Sequence, residues 1–112
     1  MNLFELTRAL VDIDSTTGEE KAVADYLFAY LSPLAAKYQA HLERQTAEPD
    51  RDNLLLSFGR PIVTLSTHMD TVPPFFPSRE DGTHIHGRGS CDAKGIIAAM
   101  ITAAENLLSW NW

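Results

Sequence analysis

The chain has 112 residues, 45% of them apolar and 21% charged, with a formal net charge of −6. That length holds at most one domain, and the composition is ordinary for a globular protein with a real core. The negative balance argues against a nucleic-acid partner, which needs a basic face, and against an anionic membrane surface.

Cys91 is the only cysteine, so no internal disulfide can form, which fits a reducing cytoplasm. The opening Met1-Asn2-Leu3-Phe4-Glu5 has no basic n-region and no small-residue cleavage site, so no signal peptide is expected. The longest apolar run, 96–104, is interrupted by Thr102 and is too short to span a bilayer. A cytoplasmic protein is the expectation.

Leu3, Phe4, Leu6 and Leu10 recur at helical spacing and predict a short amphipathic helix over 2–12. Ser15-Thr16-Thr17-Gly18-Glu19-Glu20 reads as a helix start, with hydroxyls to cap and acids to suit the positive end of the macrodipole. Val23, Tyr26, Leu27, Tyr30, Leu31 and Leu34 form one stripe, so a helix from about 18 to 31 is expected, with Pro33 near its end. Residues 40–45 alternate weakly, as an edge strand would, and 48–52 is a charged turn. Residues 53–58 read as a strand, Gly59-Arg60-Pro61 as a turn and 62–66 as a second strand, suggesting an antiparallel hairpin.

Pro73-Pro74-Phe75-Phe76-Pro77 is neither helix nor central strand and reads as a stiff loop. Asp81-Gly82 is a turn before a short strand over 83–86. Gly87 and Gly89 flank Arg88 in a loop expected to need unusual backbone angles. From Gly95 to Leu108 the chain is nearly all apolar or small. A helix buried on most faces needs cover on two sides, as in a layered α/β protein.

His68 and Asp70 lie two apart, where extended geometry puts them on one side. A neutral imidazole is a good zinc ligand, and a neighbouring carboxylate fixes its tautomer. Alone, such a pair is more often a hydrogen-bonded surface feature. Asp92 follows a glycine-rich loop and precedes a helix, where a carboxylate binds a metal, bridges two, or simply caps. Lys94 reads as a structural residue that contacts Asp92 or stays in solvent. Arg88 would tie its loop down through carboxylates. Cys91 reads as a small packing residue rather than a ligand. His84 and His86 share a face and read as surface histidines, and His41 carries no signal. No nucleophile elbow, phosphate loop or Cys-x-x-Cys pair is present, and Ser66 has no obvious base.

Together, Ser15-Thr16-Thr17-Gly18-Glu19-Glu20, Asn53-Leu54-Leu55, His68-Met69-Asp70-Thr71-Val72-Pro73 and Gly87-Arg88-Gly89-Ser90-Cys91-Asp92-Ala93-Lys94-Gly95 resemble the zinc-dependent aminoacylase, acetylornithine deacetylase, succinyl-diaminopimelate desuccinylase and carboxypeptidase family. The resemblance covers nearly the whole chain. It implies that His68 is a metal ligand, that Asp70 is the catalytic carboxylate orienting it, and that Asp92 bridges two metals. It also implies a cis peptide at Asp92-Ala93. The implied fold is α/β, a mixed sheet flanked by helices, with residues 1–112 as an incomplete N-terminal segment of the catalytic domain and the lid and dimerisation domain absent. The implied reaction is hydrolysis of an amide in a short peptide or an N-acyl amino acid. Two Zn2+ per complete site would activate water, with Co2+ or Mn2+ as alternatives, in a parent that would form homodimers.

The family's later parts, a Glu-Glu pair, a further acidic ligand and a late histidine, have no counterpart here. After Asp92 the only carboxylate is Glu105, and no histidine follows His86. The ending Leu107-Leu108-Ser109-Trp110-Asn111-Trp112 departs from a simple continuation and reads as a truncation or an out-of-frame tail. This chain alone is therefore expected to bind zinc weakly and to be inactive. A non-catalytic metal-binding remnant and an interaction module that pairs with a separate second half are the alternatives.

Overall fold

The computed structural model describes residues 1–110. Helix α1 spans Leu3–Val11. Asn2 starts it: its side chain accepts from the Glu5 N–H at 2.8 Å, and Glu5 accepts in return from the Asn2 N–H at 3.3 Å. This reciprocal box satisfies two N–H groups that a helix start leaves unpaired. Leu6 and Leu10, one stripe of α1, are fully buried.

Helix α2 spans Lys21–Tyr38 and runs a full two turns past the end expected near residue 31. Pro33 offers no N–H to the preceding turn and would ordinarily break a helix. Leu31 and Ala35, on either side of it, are both buried in the core, and that burial carries the helix through. Gln39 ends it with a left-handed φ of 56°. The start also differs from expectation: Glu20 occupies the cap position without a side-chain cap bond, and the hydroxyls before it are used elsewhere.

Strands β1 (His41–Glu48) and β2 (Arg51–Ser57) form an antiparallel hairpin with His41 opposite Ser57. The expected hairpin between 53–58 and 62–66 is thus replaced by one that turns at Pro49-Asp50, inside the charged segment. Leu42, Leu54 and Leu56 pack on the core. Arg44 clamps the hairpin to α2, reaching Asp25 at 2.9 Å and Asp52 at 3.0 Å with its guanidinium over the Phe28 ring. Arg51 forks onto the buried Glu20 carboxylate at 3.0 and 3.1 Å.

No strand forms over 62–66 among the described residues. Ile62 is 97% exposed, Val63 72% and Leu65 66%. An apolar run becomes a strand only where a neighbour takes its backbone groups and a layer covers its side chains. Neither is provided here.

Strands β3 (Arg79–Glu80) and β4 (Ile85–His86) make a second small antiparallel sheet. The strand expected over 83–86 is shorter because Asp81 draws the N–H groups of Thr83 and His84 into its turn. Arg8 of α1 holds this sheet through Ser78 and Glu80. Helix α3 spans Lys94–Leu108 and packs Ile97, Ala98 and Ile101 against Leu6, Leu10, Val23, Leu27 and Leu31. The α/β class therefore appears as helices with two small antiparallel sheets. Among the described residues the isolated parallel pairing is Thr16 with Thr71. Also among them, no helix is long and apolar enough to cross a membrane. Trp110 is exposed, and the rest of the unusual ending, Asn111 and Trp112, lies outside the described residues.

Candidate functional site

Two loops meet at His68. One is the extended segment that carries His68 and Asp70; the other is the turn after Gly87 that carries Asp92. The imidazole sits between two carboxylates. Its Nδ1 lies 3.1 Å from Asp70 Oδ1 and also 3.1 Å from the Asp70 carbonyl. Its Nε2 lies 2.8 Å from Asp92 Oδ1, a contact between residues 24 apart in sequence. The structure thus brings together all three residues that the sequence singles out.

Each loop has a cause. Thr71 exchanges backbone hydrogen bonds with the segment after α1: its N–H donates to the Ser15 carbonyl at 2.9 Å, and its carbonyl accepts from the Thr17 N–H at 3.0 Å. Ser15 is fully buried and its hydroxyl donates to the Met69 carbonyl at 2.7 Å. Thr17 donates to Asp70 Oδ2 at 2.6 Å. On the other side, Gly89 has φ +89°, and a Cβ there would lie 2.7 Å from Thr71 Cγ2. Only glycine lets the two loops approach so closely. The Asp92-Ala93 peptide is cis, as the resemblance implies.

Lys94 departs from expectation. It neither contacts Asp92 nor reaches solvent. It is 1% exposed, and its ammonium donates to the Ile13 carbonyl at 2.5 Å. Burial pushes its pKa down to about 8, against the opposing pull of Asp14 and Asp12. Among the described residues Arg88 binds no carboxylate; it donates to the Pro74 carbonyl at 3.0 Å and lies over the Phe76 ring. Cys91 is exposed rather than packed, because the chain turns inward one residue after Asp92, at Ala93. His84 and His86 stack on one another and are engaged by Asp81, not by the His68 cluster. His41 faces Glu43.

Electrostatics follow the geometry. The hydrogen bond that the protonated ring gives to Asp92 raises the His68 pKa above its ordinary value; partial burial opposes this and Asp70 adds to it. The Thr17 hydroxyl holds the Asp70 carboxyl below the usual range, with His68 helping. The site is open: the side chains of His68 and Asp92 are 49% and 80% exposed.

Residues 64–111 match the sequence profile of peptidase family M20/M25/M40. The chain is also 42% identical over 112 residues to a peptidase M20 domain-containing protein of Schizosaccharomyces pombe, covering 96% of this chain and 28% of that protein. Over these spans the chain is similar to the M20 peptidase family. Probable carboxypeptidases of Aspergillus oryzae and Emericella nidulans are each 35% identical, over 125 and 118 residues. Those matches cover 97% and 95% of this chain but 30% and 27% of the relatives. The chain therefore spans roughly three tenths of the length of the curated relatives it matches.

An imidazole nitrogen facing a carboxylate oxygen is a donor set that suits zinc and other divalent metals. It is a partial set. Among the described residues no group of three or more His, Cys, Asp or Glu side chains is placed to hold a metal. A catalytic zinc takes three protein ligands. His68 and Asp92 fit as two of them.

Proposed function

We propose that this chain carries the metal-facing edge of a hydrolase that cleaves amide bonds with metal-activated water. His68 Nε2 and the Asp92 carboxylate would be ligands, and Asp70 would orient His68. What supports the reading is the convergence of His68 Nε2 and Asp92 Oδ1 to 2.8 Å across two loops, with Asp70 on the opposite ring nitrogen. A bound Zn2+, or a pair of them, would supply a nucleophilic hydroxide near neutral pH and polarise the scissile carbonyl. Co2+ and Mn2+ suit the same donors.

The chain's own residues do the positioning. With a metal in place Asp70 would accept from Nδ1–H, 3.1 Å away, and leave the Nε2 lone pair for the metal. Asp92 offers one oxygen toward that nitrogen and has the exposure to offer the other elsewhere. The names of the relatives make a peptide's C-terminal bond the first substrate class to try, with N-acyl amino acids second. These 112 residues hold no Glu-Glu pair after Asp92 to act as general base, so no turnover is expected of this segment by itself. The test is Zn2+ titration calorimetry together with hydrolysis assays on dipeptides and N-acyl amino acids. Weak Zn2+ binding that His68→Ala abolishes, without turnover, is expected. Absence of any His68-dependent metal binding would overturn the ligand assignment, and chelator-sensitive turnover would overturn the inactivity.

One observation favours a second reading. Ile62, Val63 and Leu65 are exposed in succession, as an unpaired strand would leave them. In that reading the chain is a module that pairs with another polypeptide. A single monomeric species at high concentration, with no change on Ile62→Asp, would count against it.

A further inference from the structure

We propose that Thr17 is a positioning residue for the metal-facing histidine; this rests on the ligand assignment above. Thr17 stands in the Ser15–Glu20 stretch, for which the resemblance implies no role at a metal. It is 53 residues from Asp70 in sequence, yet its hydroxyl donates to Asp70 Oδ2 at 2.6 Å. The other carboxylate oxygen, Oδ1, faces His68 Nδ1 at 3.1 Å. A hydrogen-bonded series therefore runs from Thr17 through Asp70 to His68, and both Asp70 oxygens are assigned.

The backbone explains why Thr17 is held there. The Thr16–Thr71 bridge ties the two segments side by side, with Thr71 taking one bond from Thr17 and giving one to Ser15. Ser15, fully buried, adds a bond to the Met69 carbonyl. Residues on both sides of Asp70 are thereby fixed, and the hydroxyl arrives opposite its carboxylate. A carboxylate free to rotate would present either oxygen, or water, to the ring. Pinning Oδ2 leaves Oδ1 and the Asp70 carbonyl as the acceptors for an Nδ1 proton. That tautomer keeps Nε2 open. The competing acceptor, Asp92 Oδ1, lies on the Nε2 side and would favour the opposite tautomer. Thr17 therefore tilts a contest between two carboxylates for one proton.

The experiment compares the whole chain with Thr17→Val and Thr17→Ser. Long-range proton–nitrogen NMR on the metal-free protein, above the His68 titration, reads the ring tautomer. Calorimetry with Zn2+ reads affinity. Wild type and Thr17→Ser are expected to hold the proton on Nδ1. Thr17→Val is expected to shift population toward Nε2–H and to weaken Zn2+ binding by about tenfold, the lower end for losing such a supporting partner. Thr17 is exposed, so the valine variant keeps its fold, which circular dichroism checks. An unchanged tautomer in Thr17→Val, or failure of Thr17→Ser to restore it, overturns the role. If wild type binds no Zn2+ at all, the ligand assignment fails, while the tautomer comparison still decides the part played by Thr17.

Discussion

The buried ammonium of Lys94 donates to the carbonyl of Ile13, 81 residues earlier in the chain. This one bond ties the Asp92 turn to the segment that also holds the His68 loop through Ser15 and Thr17. The bond comes at a cost, since burial depresses the lysine to about 8 from 10.5. A lysine whose folded pKa lies below its unfolded value binds fewer protons folded than unfolded between those two pH values. Stability must therefore rise from about pH 8 to 10.5 by on the order of 3 kcal/mol from this group. Urea unfolding across that range should show the rise in wild type and its loss in Lys94→Met. Parallel pH curves for the two proteins would mean that Lys94 is not buried as a charge.

Glu20 is the mirror case. Burial alone would raise its pKa, but the Arg51 fork and the Gly18 N–H overcome that and lower it below 4.5. The pair's stabilisation is thus present above pH 4.5 and is lost as pH falls through the lower folded value. Arg51→Met leaves a buried carboxylate with no counter-charge and should cost about 3 kcal/mol. Glu20→Gln leaves Arg51, which is partly exposed, able to turn to water and should cost less, about 1 kcal/mol. Chemical denaturation at pH 7 orders the two. Acid unfolding should also begin at higher pH in Arg51→Met than in wild type.

The helices and the meeting of His68, Asp70 and Asp92 were legible in the sequence because each has a local signature. Leu6 and Leu10, the α2 stripe and the apolar run after Gly95 carry helical periodicity. His68, Asp70 and Asp92 stand in two compact motifs. Pro33 misled because tertiary burial of Leu31 and Ala35 overrode a local breaker. Ile62–Leu65 misled because alternation predicts a strand without supplying a neighbour. Ser15, Thr16 and Thr17 resembled helix caps, whereas Ser15 and Thr17 bond to a segment more than 50 residues away. Lys94 did leave a signal: a cation in the first turn of a helix opposes the macrodipole and needs another reason to be there.

Thr71 holds its hydroxyl in a buried position without a hydrogen-bond partner among the described residues. Its backbone and its methyl do the structural work, the first in the bridge to Thr16 and the second against Gly89. Valine keeps both. Thr71→Val should therefore stabilise the chain by about 1 kcal/mol, the low end for relieving an unpaired buried polar group. Thermal unfolding measures it directly. A loss of stability would reveal a partner for the hydroxyl.

His68 couples the geometry of the three-residue cluster to pH. Its pKa is raised above 6.5, chiefly by the Asp92 carboxylate 2.8 Å from Nε2, with burial opposing and Asp70 adding. A histidine with a raised folded pKa contributes stability that is complete below pH 6.5 and fades as pH climbs through the folded value. The metal-free chain should therefore lose a small increment of stability on that climb. A proton and a metal compete for Nε2, so Zn2+ affinity should move the other way and strengthen through the same interval. Asp92→Asn removes the charge that holds the proton. It should bring the His68 midpoint back toward 6.5 in an NMR titration, and it should also weaken Zn2+, because one of the two donors is gone. The paired result separates a ligand from a bystander. A midpoint that falls while Zn2+ affinity stays constant would leave Asp92 as an electrostatic neighbour of His68 and nothing more.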